Sequence, residues 1–154
     1  MASAGALRPP LSWASRLAWG ACILFPSIVF AIATRLSPAA SGVGTHTQLG
    51  LPPCGFLAWT GLPCPGCGLT TCFAHMVRGE LGGALQANVF GVGFFLVTAL
   101  GVPFSVWALA TRRPLMDTLV DWHMEKVLLG LSILGIVSWG VRIALILTHG
   151  SAVL

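Results

Sequence analysis

The residues best equipped for chemistry fall in one stretch, Cys54 to His75, which reads C-G-F-L-A-W-T-G-L-P-C-P-G-C-G-L-T-T-C-F-A-H. It holds four of the chain's five cysteines, spaced Cys54-x9-Cys64-x2-Cys67-x4-Cys72, with His75 three residues further on. A C-x2-C pair across Pro65-Gly66 is what a tight turn needs to bring two sulfurs to one ion, and Cys72 and His75 share a face if they lie on a helix. Cys54, Cys64, Cys67, Cys72 and His75 are therefore the candidate metal or disulfide residues, and zinc or another thiophilic metal is the cofactor they suit. The signal is short of a zinc ribbon, which has a second C-x2-C pair. Gly68 stands where attached haem needs a histidine, which excludes haem.

The same thiols serve two other chemistries. A C-x2-C pair at a helix start can be a dithiol redox site, its thiolate favoured by the helix dipole. Alternatively two cysteines form a structural disulfide, or simply pack, and hold the segment in shape. No strand-rich thioredoxin-like pattern surrounds the pair, and spacing leaves all three readings open. Gly66, Gly68 and Thr70 supply the turn and the start of the helix after it, with Arg78 and Arg142 as supporting cations. Cys22 lies alone in an apolar run and reads as a small buried apolar residue. His46, His123 and His149 sit at no ligand spacing to another candidate.

Membrane helices must position this stretch. Hydrophobic residues make up 56% of the chain and charged residues 8%, against about 25% charged in soluble domains. The net charge of +4 comes from arginines beside apolar runs, which is a topology signal and not the clustered basic stripe of a nucleic-acid binder. The partner is the lipid bilayer, with a membrane protein or a second copy of the chain as further candidates, and nucleic acid is excluded.

Apolar runs at about 17–33, 87–110 and 127–147 each approach the roughly 20 residues a spanning helix needs. The first exceeds the 7–15 residues of a signal-peptide core, which disfavours cleavage after the Ser37-Pro38-Ala39-Ala40 patch. Pro26 should kink the first helix, and Pro103 should bend or end the second. Gly91 and Gly93 permit close helix approach. The third run carries Arg142, but its Leu, Ile and Val residues favour insertion by roughly 4–8 kcal/mol against about 3 for an arginine at mid-bilayer. Ser132, Gly135, Trp139 and Arg142 share one face, which should look into the bundle.

Leu36 to Val77 contains no Asp, Glu, Lys or Arg. Such a stretch reads as interfacial or re-entrant, because a solvated loop of that length carries charge and irregular backbone at membrane depth must be covered. Ser37 to Gly50 reads as a flexible approach. The Cys-rich segment, 54–86, should contain a short helix over Thr70 to Val77, capped by Thr70 or Thr71 and stopped at Arg78-Gly79, and a second over Glu80 to Gln86. Asp117, Asp121 and Glu125 recur every four residues, so a helix there would present one acidic row, read as a solvated face. Arg8, Arg16, Arg112, Arg113 and Lys126 outnumber Arg35 and Arg78, so the N-terminus belongs in the cytoplasm and the cysteines outside. In a bacterial inner membrane that side is oxidising and permits a disulfide.

At these residues the sequence resembles a family of small bacterial membrane proteins, domain of unknown function 2752, whose pattern is approximately C-x9-C-P-x-C-G-x-T-R, then G-D-L-x-x-A and N-P. The likeness runs from Cys54 to about Val89. Thr71 stands where the family has Arg and Val89 where it has Pro, so the role of that arginine is absent or falls to Arg78 or Arg142. Cys72 is outside the pattern. The resemblance implies a short helical membrane protein with cysteines at one face, and no settled activity.

The reading is a single all-α membrane domain: three transmembrane helices with a Cys-rich re-entrant or interfacial segment between the first and second. Its leading function is a non-enzymatic membrane component in which Cys54, Cys64 and Cys67 shape or metallate a site on the outer face. The alternative is a membrane thiol-disulfide oxidoreductase using Cys64 and Cys67.

Overall fold

A computed structural model describes residues 11–149 and contains no strand among them. The helices in chain order are α1 (Trp13–Arg35), a 3₁₀ turn (Thr45–Leu49), α2 (Gly55–Thr60), α3 (Leu69–Met76), α4 (Leu81–Ala87), α5 (Val89–Ala110), α6 (Leu115–Asp121) and α7 (Met124–His149). Of these α1, α5 and α7 are long and apolar enough to cross a membrane, with mean hydropathy of 2.0, 2.1 and 2.0. The cysteine cluster lies between the first and second of them. Their side chains are mostly on the outside: Leu24, Phe25, Leu100, Leu129 and Ile136 are all exposed. Water would penalise such a surface and hydrocarbon does not.

Both ends of α1 and the start of α5 have local causes. The Ser12 hydroxyl accepts from the Ser15 N–H (3.2 Å), which starts α1 before the apolar run proper. At the other end of α1, where the last carbonyls run out of i+4 donors, the Arg78 guanidinium donates to Thr34 O (3.2 Å) and to Ala33 O (3.4 Å), which also accepts from the Leu36 N–H (3.3 Å). The side chain of Asn88 caps α5, accepting from the Gly91 N–H (2.9 Å). Pro26 and Pro103 lie inside continuous helices, so Pro103 does not end α5. The helix expected to carry Asp117, Asp121 and Glu125 is cut: α6 stops at Asp121 and His123 takes a positive φ of 50° before α7 begins. The acidic row is therefore broken.

Small residues let the helices meet. A Cβ on Gly91 would lie 2.9 Å from Cys72 Sγ of α3, and one on Gly93 would lie 3.1 Å from Leu131 of α7. On α7, Gly135 faces the Phe90 ring in the same way. Phe30 of α1, Phe73 of α3 and Phe95 of α5 interlock, with centroids 4.8 Å (Phe30–Phe95) and 5.2 Å (Phe73–Phe95) apart. Near the start of α1, the Trp19 indole N–H donates to Arg113 O (2.9 Å), just beyond α5. Near its end, α1 meets Arg78. The cysteine segment and the α5–α6 turn thus occupy opposite ends of the bundle.

Two local expectations change. Gly68, not Thr70 or Thr71, caps α3, with φ of 88°. Ser37 to Gly50 is fixed by side chains: Gln48 Nε2 donates to Ser37 O (2.7 Å), its Oε1 accepts from the Ser37 N–H (3.0 Å), and Thr45 Oγ1 accepts from the Ala39 N–H (3.0 Å).

Candidate thiol site

The Sγ atoms of Cys54, Cys64 and Cys67 all lie within 4.8 Å of one another. Cys54 sits at the start of α2, while Cys64 and Cys67 flank a turn closed by the Cys67 N–H to Cys64 O (3.0 Å) and the Leu69 N–H to Gly66 O (3.1 Å). Gly66 keeps the inside of that turn open. Gly68 has no substitute: a Cβ there would stand 2.3 Å from Ala87 O and 2.9 Å from Gly42 O. Tetrahedral thiolates at a Zn–S distance of about 2.3 Å sit roughly 3.8 Å apart, so an inward movement of about 1 Å closes the three sulfurs on one ion.

The turn's carbonyls are held from two spanning helices. The Asn88 amide donates to Pro65 O (3.2 Å) and Cys67 O (3.0 Å). From α7, the Trp139 indole N–H donates to Pro63 O (2.8 Å), and Arg142 Nη1 donates to Cys67 O (3.2 Å) and Ala87 O (3.2 Å). Arg142 Nη2 is buried with no hydrogen-bond partner. The guanidinium lies within electrostatic reach of the Cys67 and Cys64 sulfurs.

The three thiols differ in environment. Cys54 is held below its ordinary value of 9.0, chiefly by the Leu57 N–H and then by the Cys67 thiol. Burial pushes the Cys67 thiol up to about 12, and its hydrogen bond with Cys64 adds to this. The two neighbouring sulfurs are thus shifted in opposite directions, and a bound cation would draw both towards the thiolate.

Cys72 and His75 lie outside the three-sulfur group. Cys72 is fully buried against Ala84, Ala87 and Val92, and burial pushes its thiol up to about 12. His75 Nδ1 meets Glu80 Oε2 at 2.6 Å, its ring packed over Gly83. Thr70 lines the thiol cavity, and Arg78 serves the end of α1. Thr71 is buried and bonded to Thr45 (2.8 Å). The cation that reaches the cysteine turn is Arg142. Cys22 is exposed on the outside of α1 and not buried. His123 pairs with Glu125 (3.1 Å), and the side chain of His149 lies outside the described residues.

Asn88, Trp139 and the Thr45–Thr71 pair are structural partners of the site that spacing does not reveal. His46 also lines the cavity of about 140 Å³ that the three cysteines share. The asparagine had a signal, standing where the family pattern has N-P.

Residues 54–102 match the family model described as Protein of unknown function (DUF2752), so the match covers the Cys-rich segment and the first part of α5. No curated protein and no solved structure matches the chain.

Proposed function

We propose that this chain is a non-enzymatic, multi-pass membrane component that holds one thiophilic metal ion, zinc foremost, on Cys54, Cys64 and Cys67. The observation that carries the reading is the approach of three sulfurs to within 4.8 Å of one another, on a turn whose carbonyls are bonded to Asn88, Trp139 and Arg142. Charge supports it. Among the described residues Arg142 has no carboxylate partner: Glu80 is taken by His75, and the remaining acids lie on α6 and at the start of α7. A guanidinium inside a membrane bundle calls for an anion. Three thiolates on a divalent ion supply one net negative charge beside it.

The Lys and Arg distribution favours a cytoplasmic N-terminus, with the thiol site on the outer face of a bacterial cell membrane. A partner, whether another membrane protein or a second copy, then meets the site from outside, where Phe56 and Trp59 of α2 stand exposed.

The test is metal content by mass spectrometry of the full chain purified in detergent, without chelators. One equivalent is expected, and Ser replacement of Cys54, Cys64 or Cys67 should each reduce it at least tenfold, while Cys22→Ser leaves it unchanged. A metal-free protein with a reversible Cys64–Cys67 couple near the potentials of redox enzymes would replace this reading with the oxidoreductase one.

A further inference from the structure

Three thiolates leave one position of a tetrahedral ion open, and we infer that His46 fills it through Nδ1, making a closed Cys3His site. This rests on the reading of Cys54, Cys64 and Cys67 as ligands. His46 lines the same cavity as the three cysteines. Its other ring nitrogen is engaged: Nε2 lies 3.1 Å from Pro52 O. A carbonyl only accepts, so the proton is on Nε2 and the lone pair of the neutral ring is on Nδ1. Histidines bound to metal nearly always make such a bond, donating the second ring N–H to a backbone carbonyl or carboxylate, which fixes tautomer and orientation.

The loop carrying the ring is also anchored beside the site. Thr45 is fully buried and bonded to Thr71 on α3 (2.8 Å), and Gly44 before it takes φ of 88°. Elimination points the same way. No carboxylate lines the cavity; besides the cysteines, its side-chain donors are His46, Thr70 and Thr71, and Thr71 is committed to Thr45. Imidazole is a regular zinc ligand and a threonine hydroxyl is not. The imidazole stands outside the 4.8 Å group of sulfurs. Binding must therefore tilt the ring about its bond to Pro52 and draw the 46–53 stretch inward, with Thr45 as the fixed point. Closing the fourth position excludes water or substrate from the ion, which makes the site structural and not catalytic.

The experiment uses the full chain in detergent, titrated with Zn²⁺ alone and examined by X-ray absorption, together with Co²⁺ as a coloured substitute. The expected result is three sulfurs and one imidazole in the wild type. His46→Asn should keep the three sulfurs, lose the outer-shell imidazole scattering and bind Zn²⁺ roughly 100-fold more weakly or worse. A chain with His75, His123 and His149 all replaced by Asn should keep the imidazole signal, which tests the assignment without touching His46. Three sulfurs without imidazole in the wild type, or an unchanged His46→Asn, would overturn the role of His46 and leave the three-cysteine site standing. No bound ion at all would overturn both.

Discussion

Asn88 makes three hydrogen bonds with one buried side chain, and two substitutions separate what they do. Its Oδ1 caps α5 at Gly91, while its Nδ2 ties Pro65 and Cys67 to the same point. Asn88→Ala removes the cap, worth about 1 kcal/mol, and two neutral hydrogen bonds worth about 1 kcal/mol each. The protein should lose about 2–4 kcal/mol. Cys67 O keeps Arg142 as a donor while Pro65 O loses the Asn88 amide, so the loss falls on the Cys64–Cys67 turn. Asn88→Asp is the sharper perturbation. Asp caps helices as well as Asn does, so a residue acting only as a cap would tolerate it. Here the second carboxylate oxygen would face two carbonyl oxygens at 3.0 and 3.2 Å, which should make Asp worse than Ala by about 1–2 kcal/mol. Denaturant unfolding in detergent, followed by circular dichroism, gives the ranking. Chelator competition for bound zinc should show a loss of roughly 10–100-fold in both variants, the usual cost of removing a group that orients a ligand. Asn88→Asp with wild-type stability and zinc retention would refute the idea that this residue holds the turn.

Gly68→Ala should destabilise the chain by about 2–4 kcal/mol, through its left-handed backbone and the collision with Ala87 O, whereas Gly82→Ala, which meets nothing within 4 Å, should be neutral or stabilising in the same unfolding assay. The metal-free protein should lose stability as pH rises from about 9 towards 12, because Cys67 and Cys72 are buried as neutral thiols; folded values raised above 9.0 mean that the stabilisation is complete below 9.0 and is lost as pH climbs through the folded values. By the same displacement of the Cys67 proton, zinc affinity should increase with pH through the neutral range, which a chelator titration at several pH values will read. Impermeant maleimide applied to intact spheroplasts after reduction and chelation should label the cysteine segment, and labelling only after the membrane is opened would reverse the orientation.

The three spanning helices were legible because length and apolarity alone determine what can cross a bilayer, and Arg142 was too small a penalty to hide the third. The approach of Cys64 and Cys67 was legible from a C-x2-C turn rich in Pro and Gly. The spacing of Cys72 and His75 was sound as far as it went: both lie on one short helix. It could not tell that Cys72 is buried against α4 and α5, where Gly91 makes room for its sulfur, or that Glu80 takes up the His75 ring. α2 escaped notice since six residues reading G-F-L-A-W-T carry no polar cap and show no helical period. Asn88, Trp139 and the Thr45–Thr71 pair act through bonds between residues far apart in the chain, and such bonds leave no local periodicity. His46 escaped for the same reason, because the cavity that gathers it with the cysteines is made by the 3₁₀ turn and the start of α3.

The grip of α7 on the cysteine turn also orders events during synthesis. Cys54, Cys64 and Cys67 emerge from the ribosome well before Trp139 and Arg142, which bond to Pro63 O and Cys67 O. Until the last spanning helix is inserted and docked, Pro63 O lacks its indole donor and Cys67 O has Asn88 without Arg142, so the turn is held from one side. A chain interrupted inside α7 therefore presents loose, reactive sulfurs, while a finished one presents a fixed site. Completion of the final helix is thus reported some 75 residues earlier in the sequence, as the moment when the cysteine turn becomes fixed.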